Sequence, residues 1–257
     1  MKKYLNLLIL FCVIHKAQNN FIVYDKIIDA SDGLEIIHEK NILVFNNKNS
    51  IFFSYKGELE DVNKFLNNTE KIRSSQVIKN IFNKKYFQVK DNSFTRETLF
   101  AIDDYQNFNW NILQNEETKI LGYKCHKAIG KFRGREYIAW FTIELPIDIG
   151  PFKFRGLPGA ILKVSDKNNI FTFEALKILL NLPLQIDINS KFNFYFPDET
   201  NDYITFQKYV EIQNKHIEEM RSRIDADRPK GVIVISRSGD RDFDIEKTFE
   251  WENLKNP

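Results

Sequence analysis

The chain has 257 residues, with 37 Lys and Arg against 35 Asp and Glu, and 43% of its residues are apolar. The near balance of charge and the lack of a Lys/Arg stripe argue against a nucleic-acid surface. A length of this order supplies one hydrophobic core without a disulfide framework, and none is available: Cys12 and Cys125 are the only cysteines.

The N-terminus reads as a secretory signal peptide over residues 1–17. Lys2 and Lys3 precede an apolar run from Leu5 to Ile14, and Ala17 supplies a small residue for cleavage. Ten apolar residues are too few to span a bilayer, which needs about 20, so no transmembrane segment is expected after cleavage. Phe11 before Cys12 lacks the small side chain of a lipoprotein cleavage site. Removal of Lys2, Lys3 and Lys16 leaves 34 basic against 35 acidic residues, a net charge of −1. The mature chain is expected to be exported, periplasmic or at the cell surface, and to fold over residues 18–257 as a single domain.

Along that domain the pattern is mostly of strands. Phe21-Ile22-Val23-Tyr24, Ile42-Leu43-Val44-Phe45 and Ile51-Phe52-Phe53-Ser54-Tyr55 are short β-branched and aromatic runs, the last two joined by a hairpin loop at 46–49. The block 62–85 differs: Ile72, Val77, Ile78, Ile81 and Phe82 fit a helical stripe. Strands are then expected at 86–89, 95–102, 110–113, 122–132 and 136–143, mostly as antiparallel hairpins, with a turn inside 130–135. A further hairpin, 160–164 with 170–176, turns at Asp166-Lys167-Asn168-Asn169.

The segment GPFKFRGLPGAILK over residues 150–163 concentrates Gly150, Pro151, Gly156, Pro158 and Gly159. The prolines fix φ, while Gly156 and Gly159 can take φ > 0, so the backbone between two strands is specified closely. Beyond it, Thr205 can cap a helix over about 205–224. Its residues Phe206, Tyr209, Val210, Gln213, Ile217, Met220 and Ile224 recur at spacings of three and four, one face for the sheet. Late strands are expected at 232–236 and 243–251.

These residues carry a resemblance. Gly156-Leu157-Pro158-Gly159-Ala160-Ile161 is similar to the signature of the GLPGLI family, also called Porph_ging, with Ala160 where the family has Leu. Trp110, the stretch from Gly122 to Ala128, Gly134-Arg135, Ala139 to Thr142, Pro146 and Gly150-Pro151 resemble further landmarks in the family's order, over roughly residues 18 to 180. Phe141 and His126 depart from its common Tyr and Gln. The resemblance implies a secreted protein of Bacteroidetes without an established activity.

Candidate chemistry is sparse. Cys125 beside His126 suits a thiol nucleophile with its base, or two metal ligands, but neighbours on a strand face opposite ways; the competing reading is a buried, inert thiol. Asp103-Asp104 and Glu116-Glu117 read as solvated turn residues. The glycine loop lacks the Lys and following helix of a phosphate cradle, no Gly-x-Ser-x-Gly elbow occurs, and no cofactor is implied. Trp110, Trp140, Trp251 and the 23 Phe form either an ordinary core or a concave face holding an apolar or peptide ligand. The expected fold is α+β and β-dominated: a curved antiparallel sheet with packed helices, by analogy with half-barrel lipoprotein carriers. The expected function is a non-enzymatic binding or accessory protein for an apolar or peptide ligand or an outer-membrane partner. The alternative is a thiol- or metal-dependent enzyme using Cys125 and His126. Gly150, Pro151, Gly156, Leu157, Pro158, Gly159 and Ile161 are expected to form a structural loop and binding rim.

Overall fold

A computed structural model of the chain describes residues 19–29, 36–55, 74–105, 108–182, 196–198, 200–227, 241 and 244–252. The expected leader with Cys12, residues 62–73 of the expected helical block and the expected strand at 232–236 lie outside them.

Twelve strands form one sheet: β1 (Asn19–Ile28), β2 (Ile37–Phe45), β3 (Asn49–Ser54), β4 (Gln76–Ile81), β5 (Phe87–Asp91), β6 (Leu99–Asp103), β7 (Asn111–Ile120), β8 (Tyr123–Phe132), β9 (Arg135–Thr142), β10 (Ala160–Asp166), β11 (Phe171–Leu182) and β12 (Ile204–Thr205). Their spatial order is β12-β6-β5-β4-β3-β2-β1-β11-β10-β9-β8-β7, in a curved open sheet. Two antiparallel meanders, β1 to β6 and β7 to β11, are therefore joined side by side along the β1–β11 pair. Among the described residues only the two-residue β12 runs parallel to its neighbour, β6.

Local chemistry sets the hairpins. At the β2–β3 turn the Asn46 carboxamide oxygen accepts from the backbone N–H of Lys48 at 2.8 Å and of Asn49 at 3.0 Å. The β7–β8 and β8–β9 turns place Leu121-Gly122 and Arg133-Gly134 at positive φ, the two-residue geometry whose twist suits adjoining strands. Asp166 accepts from the N–H groups of Asn168 and Phe171, closing the β10–β11 turn.

The sheet is buried on both faces near β1 to β4. Ile22, Tyr24, Leu43, Phe52 and Ile78 join one cluster with Phe132, Tyr137, Phe154 and Phe173, while Phe21, Ile42, Val44, Ile51, Phe53 and Val77 form another with Phe196. That explains the unbroken apolar runs in these strands. It also corrects the helical reading around residue 77: Val77 and Ile78 are neighbours packed on opposite faces of β4. A short apolar run satisfies either period, and pairing with β3 and β5 decides for the strand.

Among the described residues one α-helix, α1 (Phe206–Ala226), packs on β6 and on Val89 of β5. The Thr205 hydroxyl caps it by accepting from the N–H of Lys208 at 3.2 Å. Phe206, Tyr209 and Val210 are buried with Val89, Ala101 and Phe249. The expected seven-residue face does not all reach the sheet: Met220 and Ile224 remain exposed, because only the first turns lie over β5 and β6. Residues 244–252 form bends and turns rather than the expected strand. Among the described residues no helix is long and apolar enough to cross a membrane.

Candidate functional site

On the face of the sheet that carries Tyr24 and Leu43, strand register aligns a row of polar side chains across five strands. Tyr24 on β1 pairs with Asn41 on β2, Asn41 pairs with Ser54 on β3, and Gln76 on β4 pairs with Asp91 on β5. Phe53 opposite Val77 makes Ser54 and Gln76 the next positions along β3 and β4. Lys26 and Glu39 form the adjoining row at the β1–β2 end, with Lys26 Nζ 3.1 Å from Glu39 Oε2. On the other side lie Ile22, Leu43, Phe52 and Ile78, all apolar.

Over these rows open two cavities of about 250 and 290 Å3, which share Lys26, Gln76, Phe152 and Ile245 in their walls. Asn41, Gln76 and Asp91 line the first, with Phe52 and Phe173 edge to face at 5.9 Å. Val210, Ile217 and Phe249 line the second. The two make one cleft between the sheet, α1 and the chain around residues 244–249.

Hydrogen bonding orients the floor. Asp91, 1% exposed, accepts from the N–H and hydroxyl of Ser93 on Oδ1, and from Tyr209 Oη at 2.7 Å and Gln76 Nε2 at 3.1 Å on Oδ2. Gln76 Nε2 also donates to Tyr209 Oη at 3.1 Å. Burial and the neighbouring Asp91 carboxylate push the Tyr209 phenol well above its ordinary pKa, so its proton stays on the oxygen and is donated to Asp91. The Asn41 amide donates to the Glu39 carbonyl at 2.9 Å, which turns its Oδ1 the other way.

The signature loop supplies one wall of this cleft through Phe152. Behind it Phe154, Leu157 and Ile161 are buried, and Phe154 packs 4.7 Å from the Tyr137 ring. Gly156 has φ +92°, the conformation glycine favours. Gly159 is required for another reason: a Cβ there would lie 2.0 Å from the Thr142 carbonyl oxygen on β9. A Cβ on Gly150 would meet the Phe154 carbonyl at 2.6 Å. Pro151 is buried and its carbonyl accepts from the Phe154 N–H, while Pro158 is exposed beside Gly159.

The opposite end of the cleft is anchored by a buried ion cluster that sequence reasoning missed. Asp103, expected in a solvated turn, is fully buried. It receives both Arg133 terminal nitrogens, at 2.7 and 2.9 Å, and Lys153 Nζ at 2.6 Å. Arg133 and Lys153 also hold Glu246, and Lys153 Nζ sits 3.8 Å from the Phe206 ring centroid. Burial alone would raise the Asp103 pKa, but Lys153 and Arg133 outweigh it and hold the carboxyl below its usual range. Only the folded chain brings the β8–β9 turn, the signature loop and residue 246 to the end of β6. Glu116 and Glu117 are exposed as expected, but they lie in β7, paired with Lys127 and Lys124.

Cys125 and His126 do not assemble a nucleophile and base. Cys125 is fully buried, its thiol 3.6 Å from the Tyr123 carbonyl, and burial pushes its pKa up to about 11. His126 turns to Phe141, 5.9 Å between rings, and its Nδ1 is 3.5 Å from Glu117. Among the described residues no group of three or more His, Cys, Asp or Glu is placed to hold a metal ion.

These features define a β-dominated fold, a large open antiparallel sheet with, among the described residues, one packed helix and a polar cleft on one face. The family resemblance is borne out: the model of Porph_ging, described as a protein of unknown function, matches residues 132–163, from the end of β8 through the signature. No curated protein matches the sequence. Two crystal forms of PNGF-II, C2 and P21, are similar in structure, each at TM-score 0.56 and 19% identity over 78% of this chain. The chain spans 34% of the length of PNGF-II, and at that identity the likeness is one of fold. A DUF1329 family protein from Desulfovibrio piger aligns at TM-score 0.22 and 8% identity, over 69% of this chain and 90% of that protein, too distant to carry an argument.

Proposed function

We propose that the protein is a non-enzymatic binding protein that holds an extended peptide segment in the cleft. The supporting observation is the polar row from Tyr24 to Asp91 beside an apolar floor. An apolar chain laid across it would cover the amide oxygens of Asn41 and Gln76 without water, at about 1–3 kcal/mol for each unmet group, while Ser54 keeps its bond to Ser74. A peptide offers N–H and C=O groups to the row and side chains to Phe52, Phe152 and Phe173. The chemistry at Cys125 favours no enzymatic alternative, since a buried thiol with a raised pKa is a poor nucleophile. Export to the periplasm or cell surface is part of the proposal and rests on Lys2, Lys3, the apolar run and Ala17.

Titration with short unstructured peptides, followed by backbone amide NMR shifts, should perturb Lys26, Asn41, Gln76 and Phe152 first. Perturbation of those residues by a fatty acid and by no peptide would overturn the reading.

A further inference from the structure

We infer that the cleft is built around a basic side chain, so that the peptide is anchored by a lysine or arginine lying across Asn41, Ser54 and Gln76. The inference rests on the peptide-binding reading and adds the chemistry of the anchor.

Three observations carry it. The Asp91 carboxylate is 1% exposed, yet its four contacts come only from neutral donors on Ser93, Tyr209 and Gln76, and no cation lies within ion-pair distance of it among the described residues. A buried carboxylate without a counter-charge is costly, and a cation entering the cleft above it relieves that cost. Second, the free atoms of the row are acceptors. Asn41 is 3% exposed and its amide nitrogen is committed to the Glu39 carbonyl, so Oδ1 faces the cleft without a donor among the described residues. Gln76 commits Nε2 to Asp91 and Tyr209, which leaves its Oε1 equally unmet. Asn41 and Gln76 sit two strands apart with Ser54 between, at about 4.8 Å per strand, so an ammonium reaches acceptors on neighbouring strands and the wider guanidinium fork reaches further along the row.

Third, among the described residues that line the first cavity the one cation is already used. Lys26 is paired with Glu39, whose side chain is 34% exposed, so the pair repels a second cation little and leaves carboxylate lone pairs open to it. The rings of Phe52 and Phe173 beside the row suit the aliphatic stem of such a residue.

The test uses the full-length mature protein and four blocked pentapeptides of glycine whose central residue is lysine, arginine, norleucine or glutamate. The lysine and arginine peptides should bind about tenfold more tightly than norleucine, the order expected of a charge-assisted hydrogen bond, with glutamate weakest. Added salt should narrow the gap. Glu39→Gln removes a carboxylate acceptor and unpairs Lys26, so it should weaken the basic peptides several-fold and more than it weakens norleucine. Asn41→Asp puts a carboxylate in place of the amide that donates to the Glu39 carbonyl, so it should lower the melt and yet tighten the basic peptides without tightening norleucine. Equal binding of all four peptides, or a preference for norleucine or glutamate, would overturn the basic anchor while leaving peptide binding in place. Binding of none of them in the cleft would overturn both.

Discussion

The indole of Trp110 lies directly on Gly130: a Cβ on that glycine would fall 2.6 Å from Trp110 Cε3. The same ring donates its Nε1 proton to the Arg155 carbonyl at 2.7 Å, so one side chain couples β8 to the signature loop. Gly130→Ala must displace the indole or the strand. Overpacking of this kind costs about 1–3 kcal/mol, and each kcal/mol lowers Tm by roughly 2–4 °C in a domain of this size. Differential scanning calorimetry with tryptophan emission should record a lower Tm and an altered spectrum. An unchanged melt contradicts the packing described.

Gly156→Ala and Gly159→Ala should both destabilise, for different reasons and by different amounts. At Gly156 the cost is left-handed backbone, about 1–2 kcal/mol. Gly159 is not among the residues at positive φ; there the added methyl collides with the Thr142 carbonyl, and β9 and β10 must separate to admit it. Thermal melts should rank Gly159→Ala as the more damaging. Pro158→Ala, at an exposed position, should cost less than either.

Cys125 should label slowly in the native state. With its pKa pushed up to about 11 and no exposed surface, the thiol stays protonated and covered at pH 8. A thiol reagent should react at the rate of a free thiol only after denaturant is added. Cys125→Ser puts a hydroxyl into the same apolar site and should cost about 1–3 kcal/mol.

Asp103 should make the fold acid-sensitive. Its folded pKa is lowered, so its contribution to stability is complete above the unfolded value near 3.9 and is lost as pH falls through that value toward the folded one. Asp103→Asn leaves Arg133 and Lys153 with the partly exposed Glu246, and Arg133 with the exposed Glu250, as their remaining anions, and about 3–5 kcal/mol should be lost at neutral pH. Urea unfolding at several pH values should show the variant less stable at pH 7 and less dependent on pH between 5 and 3. Equal slopes for variant and wild type would falsify the assignment.

Elements whose signals are local are legible along the chain. The turn inside 130–135, the Asp166 turn and the Thr205 cap mark hairpins and a helix start through contacts within a few residues, whereas the turn at 121–122 emerged only with the structure. The signature likewise announced a constrained backbone, because proline and glycine restrict or release φ wherever they stand. Tertiary structure decided the rest. Val77 and Ile78 satisfy a helical and a strand period equally, and β3 and β5 choose between them. Residues 243–251 carry aromatic strand formers, but Phe249 and Trp251 are spent on Phe206 of α1, at ring distances of 6.0 and 6.4 Å. Asp103 looks like a turn residue until Arg133 and Lys153, 30 and 50 positions away, close over it. The polar row is the clearest case: Tyr24, Asn41, Ser54, Gln76 and Asp91 are unremarked singly along the chain. They become one surface only when the register of five strands is set, since pairing is a long-range choice made by the whole sheet.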